Sequence, residues 1–346
     1  HLHHALALGQ LGQHGFEDIH LVTNSIPETN LDDINLATTV GGLKMSSPIL
    51  INAMTGGGSE ETYQINQLLA IVAREKGLAM AVGSQMAALK EPEQTYTYTI
   101  VRQENPKGIV FANLGAEATV DQAKQAVEML EADALQIHVN VIQELVMPEG
   151  DRQFKGLLKN IERIVKHLPC PVIVKEVGFG LSLESVQQLY SLGVHVVDIG
   201  GFGGTNFATI ENKRRKQPYT FFDQWGIKTV VSLIEATQVK QVDVIASGGI
   251  TSSLEVIKSL ALGAKAVGLA GFFLRLITEY ELEEALDIVD NFHEQLSMMM
   301  CALGIQSLDQ MDQVPLVISG ESYHWLRERG IDTTVYARRK FGRQSL

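Results

Sequence analysis

Between about residue 49 and about residue 275 the chain repeats one unit, a short apolar run followed by a longer segment with helical periodicity. The apolar runs are Ile49–Ala53, Ala79–Val82, Ile109–Asn113, Leu135–Val139, Val172–Lys175, Val194–Ile199, Val242–Ala246 and Ala266–Leu269. Between them, segments such as Glu60–Lys76, Val120–Leu130 and Leu183–Leu192 return apolar residues every three or four positions. Successive strands that run in the same direction need a crossover, and a helix is the usual one, so this alternation predicts a parallel sheet. Eight such units predict an α/β fold, a closed (β/α)8 TIM barrel. An open, doubly wound sheet also alternates; the count of eight, and polar strand ends spread over most of the units, favour closure.

Three parts fall outside the repeat. Residues 1–48 read as an N-terminal extension, residues 49–278 as the barrel and residues 279–346 as C-terminal helices, Glu281–Leu303 being the clearest; residues 1–346 thus read as a single domain. Within the barrel, residues 203–225 form a Gly-rich, then basic, connection after the sixth strand, with Lys213–Lys216 at its centre. It is longer than a minimal strand–helix loop, and such loops are usually functional lids; a solvated charged face is the other reading of the basic stretch.

Composition narrows the function classes. Hydrophobic residues make up 45% of the 346, enough for a large core and against global disorder. No apolar run is long enough to span a membrane. The net charge of −12 argues against nucleic-acid binding but leaves room for a phosphorylated small molecule, which needs only local donors. Cys170 and Cys301 are too few for a disulfide framework and read as reduced thiols of a cytoplasmic protein. The chain opens on His-Leu-His-His rather than Met, which reads as a missing or replaced start, and no signal peptide is visible.

In such barrels the reactive groups sit at the C-terminal ends of the strands. The fourth strand alternates Leu135, Ile137 and Val139 with Gln136, His138 and Asn140, and then runs into Gln143 and Glu144. Glu144 with nearby amides suits Mg2+, which takes one or two carboxylates plus phosphate oxygens; with no Cys and no second His close by, zinc is excluded. On the bland reading Glu144 is a solvated loop charge and His138 a hydrogen-bonded core residue. The seventh and eighth strands end in Ser247-Gly248-Gly249 and Ala270-Gly271, the two loops that commonly bind phosphate through backbone N–H groups. Lys175 ends the apolar run of the fifth strand. It either pairs with Glu176 or Asp198, or supplies a fixed positive charge beside a cofactor ring, as proteins do when they stabilise a reduced flavin. Asn113, Ser84 and Thr55 are then available to hydrogen-bond the rest of the ring.

These residues belong to longer runs: I-N-A-M-T-G-G (51–57), H-V-N-V-I-Q-E-L-V-M-P-E-G (138–150), K-E-V-G-F-G (175–180), G-G-T-N-F-A-T-I-E-N-K-R (203–214), Q-W-G (224–226), A-S-G-G-I (246–250) and G-A-K-A-V-G-L (263–269). Together they make the chain resemble the type 2, flavin-dependent isopentenyl diphosphate isomerases. The resemblance implies FMN contacts from Ala53, Met54, Thr55, Ser84, Asn113, Lys175, Thr205, Gly248, Gly249, Ala270 and Gly271. It implies Gln143 and His138 as catalytic, His4, His138, Asn140 and Gln143 as substrate-binding, and Glu144 as the Mg2+ ligand. It further implies isopentenyl and dimethylallyl diphosphates as substrates, flavin N5 as the acid–base centre, NADPH as a reductant, and a homotetramer or homo-octamer. The chain departs from the family in lacking an Arg-Lys pair before His4, in carrying Met86 where many members have Arg, and in reading Gly200-Gly201-Phe202 where Ser-Gly-Arg is usual. A Ser-Arg common after the eighth strand is here Ala270-Gly271. The rival readings are an FMN-dependent oxidoreductase of a hydroxy acid and a catalytically inert flavin-binding barrel.

Overall fold

The computed structural model describes residues 13–342. Eight parallel strands close into a barrel in sequence order: Ile49–Ile51, Ala79–Ala81, Val110–Gly115, Ala134–Val139, Val172–Glu176, Val196–Asp198, Asp243–Ala246 and Ala266–Leu269. The last strand pairs with the first, Val267 opposite Ile49, so the sheet has no free edge. Each expected strand is present, with ends moved by a few residues. The sixth starts at Val196 rather than Val194, and the third and fifth continue one or two residues further toward the mouth.

The surrounding helices form where the sequence supplies both an apolar stripe and end signals. The helix Glu60–Lys76 starts at Ser59, whose side chain accepts from Thr62 N–H, and stops at Gly77 in the left-handed conformation. Thr119 with Gln122, and Ser252 with Glu255, make reciprocal capping boxes at the starts of Val120–Leu130 and Ser253–Ala261. The apolar faces of these helices pack on outward-facing strand residues such as Leu135 and Ile137. Gln136 and His138 alternate with these residues and therefore face the barrel interior.

Both flanking regions are structured around the barrel. In the extension, Thr38–Val40 and Leu43–Met45 form a hairpin whose turn residues Gly41 and Gly42 both have positive φ, 55° and 82°. That geometry suits the twist of a two-residue hairpin. Val40 and Met45 pack with Leu50, Phe111 and Ile173 and plug the end of the barrel opposite the strand C-termini. Ile19–Leu21 pairs antiparallel with Leu316–Ile318, stitching the extension to the C-terminal region. The long helix there is Leu282–Leu303, with Gly304 at its C-cap. Among the described residues no helix is long and apolar enough to cross a membrane.

Two segments differ from the sequence expectation. Gln143 and Glu144 lie on a short helix, Val141–Val146, and not on a loop. The 203–225 connection is not a bare loop either; it contains the helix Phe207–Asn212 and a 3-10 turn, Thr220–Phe222. Asn206 starts that helix, its side chain accepting from Thr209 N–H. Local capping therefore builds a helix inside a stretch that reads from its sequence as a long, lid-like connection.

Candidate active site

The C-terminal ends of strands one, five, six, seven and eight surround a cleft of about 840 Å³, part of it open to solvent. Ala53, Met54, Lys175 and Thr205 line it together with the pairs Gly248-Gly249 and Ala270-Gly271. The loops after strands six and seven touch backbone to backbone. Gly248 has φ +111°, and a Cβ there would stand 2.2 Å from the Gly201 carbonyl oxygen, so only glycine fits. The loop after strand eight leads directly into the helix Gly271–Glu279, whose N-cap, Ala270, offers no side-chain cap. The N–H groups of that first turn have no intrahelical acceptor, which makes the helix start suited to a phosphate.

Lys175 is buried, and its ammonium donates to the Glu176 carbonyl oxygen at 3.1 Å. Among the described residues neither carboxylate considered as its partner takes an ion pair from it. The Glu176 carboxylate turns away to accept from Phe179 N–H at 2.6 Å and Gly180 N–H at 3.1 Å, and burial pushes it up to about 8. Asp198 is occupied by other donors, described below. A buried ammonium with no carboxylate in direct contact is costly unless an anionic or electron-rich group covers it. A cleft lined by a buried lysine, by glycines that expose their backbone and by an open helix start fits FMN, which carries both a ring and a phosphate.

The remaining ring contacts expected from the sequence lie outside that lining. Thr55 is buried, its hydroxyl donating to Asn66 Oδ1 at 3.0 Å. Ser84 Oγ accepts from Met86 N–H at 3.4 Å. Asn113 is buried in a polar chain that crosses the barrel. His138 Nδ1 meets Asn113 Oδ1 at 2.8 Å, Asn113 Nδ2 donates to Gln136 Oε1 at 3.3 Å, and Gln136 Nε2 donates to Asn52 Oδ1 at 3.2 Å. Asn52 Nδ2 donates to Asp198 Oδ2 at 2.7 Å, and Ser247 Oγ and Gly200 N–H donate to Asp198 Oδ1. Gly268 makes room for this chain, because a Cβ there would lie 2.3 Å from Asn52 Nδ2. Asn52 and Gln136 were missed as site residues by sequence reasoning. The available signal was a primary amide inside an otherwise apolar strand, at a position facing the barrel axis.

A second cleft opens beside the first, over strands three and four. His138, Asn140, Glu144 and the carboxylates of Glu117, Glu149 and Asp151 line it. His138 stands next to Lys175 in strand register, which brings the two clefts together. Glu144 Oε1 accepts from Asn140 Nδ2 at 3.0 Å and Oε2 from Asp151 N–H at 2.7 Å. Gln143 reaches Glu211 Oε1 at 3.5 Å. Among the described residues no group of three or more His, Cys, Asp or Glu side chains is placed so as to hold a metal ion. His4 lies outside the described residues.

The basic stretch works as a clasp. Arg214 bridges Glu211 at 2.7 Å and Glu149 at 2.5 Å, while Arg215 donates to the Val146 carbonyl at 2.8 Å and stacks over Tyr219. The connection after strand six is thereby tied to the segment after strand four, of which Glu149 lines the second cleft.

Burial, reinforced by the Lys175 charge, lowers the His138 imidazole to about 4. As pH falls below the unfolded value of roughly 6.5, the unfolded chain takes up a proton there that the folded chain refuses until about pH 4. This contribution is intact above the unfolded value and is lost progressively down to the folded one, at most roughly 3 kcal/mol. Denaturant melts at pH 7 and pH 5 should show a steeper decline for the wild type than for His138→Gln. Parallel declines would mean that His138 titrates normally.

Comparison with known proteins agrees with this geometry. Residues 94–317 match the family model of FMN-dependent dehydrogenases. The barrel superposes on a mandelate oxidase carrying a monooxide FMN adduct with a TM-score of 0.65, 14% identity, and coverage of 91% of this chain and 92% of that one. At that identity the likeness establishes the fold. Closer relatives are the isopentenyl-diphosphate delta-isomerase of Bacillus licheniformis, 52% identical over 98% of this chain and 97% of that protein, and that of Bacillus cereus, 55% identical with the same coverage. The chain belongs to the FMN-dependent, type 2 isopentenyl-diphosphate delta-isomerase family.

Proposed function

We propose that this protein interconverts isopentenyl diphosphate and dimethylallyl diphosphate, with FMN in the first cleft and the diphosphate and Mg2+ in the second. The observation that carries the reading is the junction of the two clefts, where Lys175 of one stands beside His138 of the other. A substrate whose head is an anion and whose tail is an alkene needs both kinds of surroundings within one molecule's length.

Moving the double bond by one carbon requires a proton added at one carbon and removed at another, with no net redox change. When bound, reduced FMN supplies an electron-rich face and an acid–base centre for that exchange; Mg2+ neutralises diphosphate charge. The chain's own residues bind and orient. Lys175 offers its ammonium to the flavin ring. Glu144, held in place by Asn140 and Asp151, provides the carboxylate for the metal. Gln143, on the same helix, orients the substrate, and His138 faces its head group. The Arg214 and Arg215 clasp steadies the segment that carries Glu149 at the second cleft, and a water-poor site strengthens every electrostatic contact within it. Reduction by NADPH and assembly into a homotetramer or homo-octamer rest on the family resemblance, and a cytoplasmic setting rests on that resemblance and on the two unpaired cysteines.

The test is to reduce the FMN-loaded protein anaerobically and supply isopentenyl diphosphate with Mg2+. Dimethylallyl diphosphate should form over many turnovers while the flavin is not consumed. Oxidation of a hydroxy acid coupled to flavin reduction would move the protein to the rival enzyme class. Bound flavin with neither activity would make it an inert barrel.

A further inference from the structure

The polar chain across the barrel has a direction. Asp198 is fully buried, and Asn52 Nδ2, Ser247 Oγ and Gly200 N–H converge on its two oxygens. A carboxylate with donors at every contact is an acceptor throughout, so Asn52 must turn its NH2 toward it. A second, independent anchor agrees, because the backbone N–H of Ala53 can only donate and meets Asn52 Oδ1 at 2.9 Å. With the Asn52 oxygen assigned, Gln136 must approach it with its NH2, and Gln136 therefore presents its carbonyl to Asn113. Asn113 must donate there, which leaves its carbonyl facing His138 Nδ1 at 2.8 Å. An acceptor in that position requires a proton on Nδ1.

We propose that the relay Asp198–Asn52–Gln136–Asn113 positions His138 by locking its neutral ring in the Nδ1–H tautomer, so that Nε2 is the nitrogen that accepts a hydrogen bond or a proton in the second cleft. Primary amides can transmit this order because each has one donating and one accepting end, so setting one sets the next. The relay ends at Ser247, beside the glycines of the first cleft, and starts at His138 in the second. It thus ties the state of the histidine to the lining of the neighbouring cleft. The lock rests on the proposed function only for its purpose, a defined group facing the substrate head; the tautomer itself does not depend on which reaction is run.

The experiment is 15N NMR of the FMN-loaded holoenzyme with labelled histidine, with the His138 signal assigned by its loss in His138→Gln. The expected result is a protonated, pyrrole-type Nδ1 and an unprotonated, pyridine-type Nε2 at neutral pH. An Nε2–H tautomer, or rapid exchange between the two, overturns the lock. Gln136→Leu cuts the relay and frees the Asn113 amide to flip, so a mixture of tautomers should follow. Gln136→Glu keeps an acceptor opposite Asn113 Nδ2 and should retain the wild-type signature. Retention of the single tautomer in Gln136→Leu would also overturn the proposal. If neither variant folds, the wild-type spectrum still decides. A wild-type protein that isomerises but shows the other tautomer sinks this inference alone, whereas the expected tautomer without isomerase activity sinks only the functional reading.

Discussion

Replacing Glu144 with Gln should lower turnover on the order of 10²–10³-fold at saturating Mg2+, with FMN content unchanged. A metal-held diphosphate draws several kcal/mol from the carboxylate that seats the ion, and each 1.4 kcal/mol is a factor of ten in rate. The substitution is conservative for the fold. Glu144 is only partly buried, and of its acceptances from Asn140 Nδ2 and Asp151 N–H a glutamine carbonyl can keep one. It lies in the second cleft, away from the lining that fits the flavin. Steady-state rates across a Mg2+ titration, with flavin absorbance as control, make the measurement. Turnover equal to wild type at saturating Mg2+ would remove Glu144 from the metal site.

Lys175→Ala should weaken FMN retention about 10–100-fold, the usual worth of a hydrogen bond to a charged group in a closed site. The same substitution should leave the flavin-free protein equally or more stable. In the apo state Lys175 is a buried ammonium whose hydrogen bond goes to a carbonyl and not to a carboxylate, so removing it relieves desolvation and breaks no ion pair. Opposite signs in the two measurements separate a cofactor contact from a packing role. Flavin content after gel filtration and thermal melts of the apo protein provide them. Unchanged flavin content would mean that the ring does not sit against Lys175.

Much of the framework was legible because barrel periodicity is local. Each strand needs only a few apolar residues, and some helices carry an end signal in Ser59, Thr119, Ser252 or Gly304. The glycines of the last two loops were legible for a similar reason, since close backbone approach excludes other residues. The Gly41-Gly42 turn carried the same kind of signal, but nothing local says that its hairpin plugs the barrel. The helix carrying Gln143 and Glu144 was misread because its six residues are too few to establish a period. Lys213–Lys216 looked like a patch of like charge. Only the folded chain reveals that two of its members are spent on Glu211, Glu149 and the Val146 carbonyl.

The sequence by itself determined the barrel, the glycine-rich lining of the first cleft and the identity of the groups at the strand ends. Those features depend on near neighbours along the chain, where side-chain size and backbone freedom act directly. Tertiary structure alone decided that Asn113, Gln136 and Asp198, from three strands, and Asn52, just past the end of a fourth, would meet in one line and give it a direction. A hydrogen bond between distant residues depends on which atoms face each other across the barrel axis, and that is set by register and closure, which no local pattern encodes.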